Sequence, residues 1–512
     1  MREFLGTRRA VWWLILLGAA PRLMLAAAIG PGNDESYHYL YAVNADLSYL
    51  DHPPMVALLE SAGLALVKFH ASAFAMRIGT ILTFAGSTWL MARMTARYYG
   101  ALAGWLAAFA FNVDAYHGIA CSSFVLPDGP LTFFWLLTLD RLLIALESPA
   151  KLRPWIWVGL AWGGAMLSKY QAVFLPIGTL VTLWLDGRCR RVLSRWGPYL
   201  AFAIGLILFS PVVYWNATND WVSFSFQGGR ALGGSGPRPD LFLGFIAAQA
   251  AYLFPWVWIP LALVLFHRLR DQLNGRTVDP WTRFFMVQAL VPILAFTSVA
   301  LVRPVLPHWA QVGYLGAFPL LGRAWSSRWA SGPRRNALRA AFLGSTWLSF
   351  IILLCVHTNT GILQFGGHRL LGMMPVSRDP TLDFYGWDQI LRELRHRGLV
   401  EGSGTFLFSD RWYLSSHLAF VTENRLPVTC FNRRHAQGFA LWSRSNEWVG
   451  RDGIYVGLDD CRKSALDISR WFRRFESLGT FPVLRKGVPV REVHLYRGIT
   501  QIAPFPFGEK FR

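Results

Sequence analysis

VWWLILLGAAPRLMLAAA, residues 11–28, followed within six residues by DESYHY, residues 34–39, is the stretch on which the reading of this chain turns. At 1.5 Å per helical residue the first run spans about 27 Å, close to the ~30 Å hydrocarbon core of a bilayer. The second run sets Asp34, Glu35 and His38 beside that helix, and DHPP at residues 51–54 brings back another acid and another histidine. A helix over residues 35–46, then an extended return fixed by Pro53-Pro54, would hold both acids at one membrane surface. Charge kept against a bilayer is costly unless it is solvated or used. The loop is therefore the first place to look for chemistry.

Composition points to the same class. The 512 residues are 53% hydrophobic, 15% aromatic and only 16% charged, against roughly 25% charged in soluble chains. Apolar runs recur at 10–30, 77–96, 100–118, 127–146, 154–168, 170–186, 197–215, 241–266, 283–302, 305–322 and 339–358, giving about eleven expected membrane helices. The net charge of +20 does not indicate nucleic acid, because much of it lies in short loops between these runs. With a cytoplasmic N-terminus, 21 Lys and Arg residues fall in inner loops and six (Lys68, Arg77, Lys169, Arg230, Arg238, Arg303) in outer ones, the positive-inside pattern. The Asp34 loop and everything after residue 358 then face outside.

The expected organisation is an α-helical, multi-spanning membrane domain over residues 1–358 and a small extracytoplasmic α/β domain over 359–512. In the latter, strands are expected at 405–409, 428–431, 453–458 and 493–496, with helices at 386–397, 411–422 and 465–475. Residues 55–70 read as an amphipathic helix on the outer surface, and the Gly- and Pro-rich segment 215–240 as a mobile loop. Cys121, Cys189 and Cys355 read as packing residues. Cys430 and Cys461 share the outer domain, where an oxidising compartment permits a disulfide.

Each candidate residue has a plainer alternative. Asp34 is either a base or the cap of the next helix. Asp51-His52-Pro53-Pro54 is either part of a site or a rigid turn, and Glu35, Tyr37 and Asp51 are near enough in sequence to support Asp34. Asp128 after Pro127 suits a helix start and is read as a cap. Lys169, between two apolar runs, is either a snorkelling anchor or a cation placed at a site. His52, Arg230 and His308 share the outer loops with it as phosphate partners, although lone histidines such as His117 and His308 are commonly interfacial. A divalent metal on Asp51, His52 and His308 is the minority reading, since no spacing demands it.

Asp34-Glu35-x-Tyr37, Asp51-His52-Pro53-Pro54, Leu126-Pro127-Asp128-Gly129-Pro130, Leu167-Ser168-Lys169-Tyr170, Ser210-Pro211-x-x-x-Trp215-Asn216 and Pro307-His308-Trp309 together resemble the GT-C class of lipid-linked-sugar glycosyltransferases. More narrowly they are similar to the bacterial branch related to protein O-mannosyltransferases, aminoarabinose transferases and lipopolysaccharide galacturonosyltransferases. The likeness runs from about residue 10 to 325 and continues more weakly through Asp379-Pro380 and Tyr385-Gly386-Trp387. Aminoarabinose transferases carry Glu-Lys-Pro-Pro where this chain has Asp51-His52-Pro53-Pro54, a departure that removes a permanent cation.

The resemblance implies a multi-pass enzyme of the bacterial inner membrane with its active site facing the periplasm. It would move a sugar, with inversion, from a polyprenyl-phosphate carrier to lipid A or lipopolysaccharide core, a protein hydroxyl being the alternative acceptor. Asp34 takes the place of the catalytic base. An acceptor hydroxyl needs a base within hydrogen-bond reach, whereas a phosphate leaving group needs charge stabilisation more than protonation. His52, Lys169, Arg230 and His308 are the candidates for the latter, and no cofactor is required. A polytopic transporter or lipid flippase is the rival from another class; it should place ionisable groups at mid-membrane, often with internal repeats. Here the conspicuous charges cluster on one face. A glycosidase using Asp34 and Asp51 would have no use for eleven spans.

Overall fold

The computed structural model of the chain describes residues 2–186, 190–231, 236–329, 331–364, 374–400 and 404–507; Cys189 lies outside them. Up to Thr360 the secondary structure is helical. The long elements are α1 (Arg2–Ala28), α2 (Asn33–Val43), α3 (Met55–Ala65), α4 (Ala73–Tyr99), α5 (Ala101–Asn112), α6 (Asp128–Glu147), α7 (Leu152–Ser168), α8 (Phe174–Leu185) and α9 (Trp196–Thr218). After them come α10 (Val222–Ala231), α11 (Pro239–Leu253), α12 (Pro255–Leu273), α13 (Pro280–Ala300), α14 (Gln311–Trp329) and α15 (Pro333–Thr360).

All eleven apolar runs are helical over at least part of their length. Among the described residues, five helices are long and apolar enough to cross a bilayer, and six if a bent pair counts as one span. The other runs fall short for visible reasons. α5 has only 12 residues, and α4 carries Arg77, Arg93 and Arg97.

Within the helical region, two segments differ most from expectation. The run 241–266 is not one helix: α11 stops at Leu253 and α12 restarts at Pro255, bent by 115°. Pro255 has no N–H to donate and disfavours helical geometry in the residue before it; Phe254 accordingly takes ψ 138°, while its φ of 59° lies in the left-handed region. The segment 215–240, expected as a mobile loop, is helical to Thr218 and again over Val222–Ala231, while 232–235 lie outside the described residues.

Arg22, inside α1 yet buried, ties α1 to the turn beyond α5. Its guanidinium donates to Gly118 O (3.1 Å), Asn112 Oδ1 (3.0 Å) and Ser122 Oγ (2.8 Å) and lies over the Phe84 ring. These bonds occupy polar groups where a π turn, Tyr116–Ala120, replaces the regular ladder. Only glycine fits at 118, because a Cβ there would stand 2.1 Å from Asn112 O.

After Thr360 the chain builds a five-stranded sheet from β1 (Phe406–Ser409), β2 (Val428–Cys430), β3 (Gly453–Leu458), β4 (Phe472–Arg485) and β5 (Val488–Gln501), in the order β2-β1-β3-β5-β4. β1 is parallel to β2 and β3 and buried along its whole length, as a central parallel strand should be. β4 and β5 form an antiparallel hairpin closed at Lys486-Gly487, both with positive φ (50° and 78°), as a tight two-residue turn demands. The helix expected over 465–475 ends at Ser469. Pairing with β5 takes Phe472 onward into a strand, tertiary context overriding local preference. Cys430 and Cys461 are both buried and free, so no disulfide links them.

Helices α16 (Trp387–His396), α17 (Trp412–Val421) and α18 (Arg462–Ser469) accompany the sheet. α17 packs on α2. There the Ser36 hydroxyl meets His417 Nδ1 at 2.7 Å, and His417 Nε2 meets Asn33 Oδ1 at 3.0 Å. The imidazole also stacks on Trp387, with centroids 3.7 Å apart.

Candidate active site

α2 starts where Gly32 leaves α1, and its first turn is held by Glu35. That carboxylate accepts from Gly32 N (2.9 Å) and Val125 N (3.0 Å) and pairs with Arg77 at 2.8 and 2.5 Å. Arg77 also donates to Ala26 O, Ile29 O and Gly30 O. Glu35, a candidate for direct support of catalysis, is thus buried in a brace and does not line the cavity described below. The capping role considered for Asp34 belongs to Glu35 instead, three residues beyond the cap position, which suits the charge of a helix N-terminus. Asp34, next to it, is exposed.

Asp34 opens onto a cavity of about 870 Å³. Tyr37, Asp51, His52, Lys169 and His308 line it too, so five further residues singled out from the sequence meet in one place. Arg230 falls in the last turn of α10, and its side chain lies outside the described residues.

The cavity has an ordered acidic wall. Tyr37 donates to Asp51 Oδ2 (2.6 Å) and accepts from Gly438 N (2.8 Å), and Gln227 Nε2 donates to Asp51 O (2.6 Å). Burial, then the neighbouring Asp51, raise the Tyr37 phenol well above its usual range, so it remains a donor. His38 Nδ1 meets Val125 O at 2.9 Å; burial lowers its pKa, which favours the neutral ring with Nδ1–H donating. His38 and His52 lie edge to face, 5.9 Å between centroids.

The cavity lining also carries an ion pair. Lys169 Nζ stands 2.9 and 2.8 Å from the two Asp128 oxygens, with both side chains buried. Asp128 is therefore not the simple cap expected: Pro127 holds the cap position, and the carboxylate serves Lys169 across 41 residues of chain. Nor is Lys169 a snorkelling anchor, because Asp128 holds its ammonium inside the protein at the cavity lining. His308 stacks on Tyr116, centroids 6.3 Å apart. Among the described residues no group of three or more His, Cys, Asp or Glu side chains is arranged to hold a metal, so Asp51, His52 and His308 form no such set.

Sequence reasoning missed Trp412 and Gln437, which reach the cavity from the sheet region. Nothing local marks them; Trp412 comes with the docking of α17 on α2, and Gln437 with the bond of the neighbouring Gly438 to Tyr37. Tyr116 was missed likewise, hidden in the π turn.

With this geometry in hand, the likeness to known proteins becomes specific. Residues 51–215 match the family model described as dolichyl-phosphate-mannose-protein mannosyltransferase. The lipid A galacturonosyltransferase RgtD of Rhizobium johnstonii is 22% identical over 303 residues, 59% of this chain and 62% of that protein's length. The crystal structure of ArnT from Cupriavidus metallidurans superposes with a TM-score of 0.57 at 15% identity, covering 95% of this chain and 98% of that one. The same protein bound to undecaprenyl phosphate gives 0.59 at 14% identity, covering 94% and 98%. The chain is therefore similar to GT-C polyprenyl-phosphate-sugar glycosyltransferases, by its family-model match and by a fold shared over nearly its whole length.

Proposed function

We propose that this protein is an inverting glycosyltransferase that moves a sugar from a polyprenyl phosphate to lipid A or the adjoining lipopolysaccharide core. The observation that carries this reading is the meeting, in one 870 Å³ cavity, of an exposed carboxylate, Asp34, with Lys169, His52 and His308. Asp34 takes the proton from the acceptor hydroxyl as that oxygen attacks the anomeric carbon. The lipid phosphate leaves with the bonding electrons, and its charge is met by Lys169 and the two histidines. Tyr37 and Asp51 shape the floor beneath the reacting sugar. The chemistry calls for no cofactor.

The setting is the bacterial inner membrane, crossed several times, with a cytoplasmic N-terminus and both the cavity and residues 359–512 in the periplasm. The similarity to a lipid A galacturonosyltransferase and to ArnT supports the acceptor and the class of donor. The test uses purified protein, a synthetic polyprenyl-phosphate sugar and lipid A, with product read by mass. Wild type should add one sugar. Asp34→Asn is nearly isosteric, and Glu35 still holds the first turn, so it should fold and lose turnover by at least about 100-fold. Near wild-type turnover in that variant would remove Asp34 from the chemistry.

A further inference from the structure

A second cavity, of about 390 Å³, lies at the other end of the helical bundle. α14 shows the separation. It begins at Gln311, three residues after His308 of the first cavity, and ends at Trp329, which lines the second. Nineteen helical residues place roughly 27 Å between the two.

Its walls are apolar: Phe109 from α5, Leu263 from α12, Leu321 from α14 and Phe342 from α15. Its rim is not. Arg328 and Arg339 line it and are exposed, flanked by Trp325 and Trp329. The ion pairs of this region run elsewhere, from Arg323 to Asp279 and from Arg268 and Arg276 to Asp271. Among the described residues, neither Arg328 nor Arg339 has a carboxylate partner; Arg339 meets only the amide oxygen of Asn336, at 3.3 Å.

In a chain that crosses a bilayer, an apolar groove between helices is wetted by lipid rather than water. Two guanidiniums at its mouth supply planar donors matched to phosphate, tryptophans sit at headgroup depth, and basic pockets between membrane helices accept anionic headgroups. We propose that this groove holds one anionic glycerophospholipid, its phosphate on Arg328 and Arg339 and an acyl chain between α12, α14 and α15. The inference needs the chain to span a membrane but does not depend on the transferase reading.

The test is native mass spectrometry of the delipidated full chain, titrated with phosphatidylglycerol or with phosphatidylcholine of the same acyl chains. One phosphatidylglycerol should stay bound at collision energies that strip phosphatidylcholine. Arg328→Gln with Arg339→Gln should weaken that retention at least about 10-fold, the scale of one lost charge-assisted hydrogen bond. Leu263→Trp, filling the groove with both arginines intact, should weaken it as well. Millimolar inorganic phosphate should not displace the lipid. Equal retention of the two lipids by wild type would overturn the proposal, as would displacement by phosphate, which would mean an anion site without a chain. Unchanged retention in both variants would overturn it too. Because the comparison of the two lipids is made on wild type, failure of a variant to fold leaves that arm intact.

Discussion

At the scale of single residues, the chain shows the difference between a residue type and its partner. Lys169 was legible as a cation in an unusual place because the sequence around it is apolar. Its partner Asp128 was not, because an aspartate after proline is locally a helix start and the pairing depends on how α6 and α7 pack. That pairing changes what substitution should do. Lys169→Gln leaves a buried carboxylate unpaired, which costs about 3–5 kcal/mol, so the single variant should lose thermal stability as well as activity. Adding Asp128→Asn removes the stranded charge and should recover most of the melting temperature, measured in detergent, without recovering donor use. If the double variant regains turnover at limiting donor, Lys169 serves only the fold. Asp34, by contrast, was readable because it lies in a polar loop between apolar runs. Trp412 and Gln437 carry no such signature, since their place at the cavity is a property of the folded molecule alone.

At the scale of elements, two joints carry the site. The π turn beyond α5 puts Tyr116 on the cavity and depends on the contact of Gly118 with Asn112. Gly118→Ala should cost about 1–3 kcal/mol, the usual range for overpacking, seen as a lower melting temperature; a neutral result would show that the turn can spread. The other joint is α17 on α2. Burial, then the nearby Arg491, keep the His417 pKa well below 6.5. Above pH 6.5 the imidazole is neutral whether docked or released, and nothing is lost. Below it the released form takes up a proton that the docked form refuses, so stability falls by about 1.4 kcal/mol per pH unit until the depressed pKa is reached. The melting temperature should therefore drop between pH 6.5 and 5, and less steeply in His417→Gln, which keeps hydrogen-bonding capacity without that titration. The broken helix at Phe254-Pro255 teaches the same lesson from the sequence side: periodicity gave one apolar run, while the proline inside it decided the geometry.

For the whole molecule, charge asymmetry makes the sharpest prediction. With 21 Lys and Arg residues expected in the inner loops between the apolar runs and six in the outer ones, an alkaline phosphatase fused after residue 360 should be active, and a reporter requiring the cytoplasm should be silent there. The reverse pattern would invert the topology and move the site to the wrong compartment. Hydropathy located the runs because lipid-facing side chains must be apolar, and they are helical because each must satisfy its own backbone polar groups. It could not separate full spans from short or bent helices, since that depends on packing and on polar residues such as Arg77 that the fold shelters.

One contact carries a consequence for how the molecule is made. Tyr37 receives its hydrogen bond from Gly438, and Asn33 and Ser36 meet His417, so this segment is completed by residues translated roughly four hundred positions later. At ~5–20 residues per second, the acidic loop waits roughly 20–80 s on the ribosome for its partners. During that interval a half-built chain can enter the membrane with its carboxylates unset. These contacts can form only once the chain has been translated past Gly438, so the acidic loop stays incomplete until then.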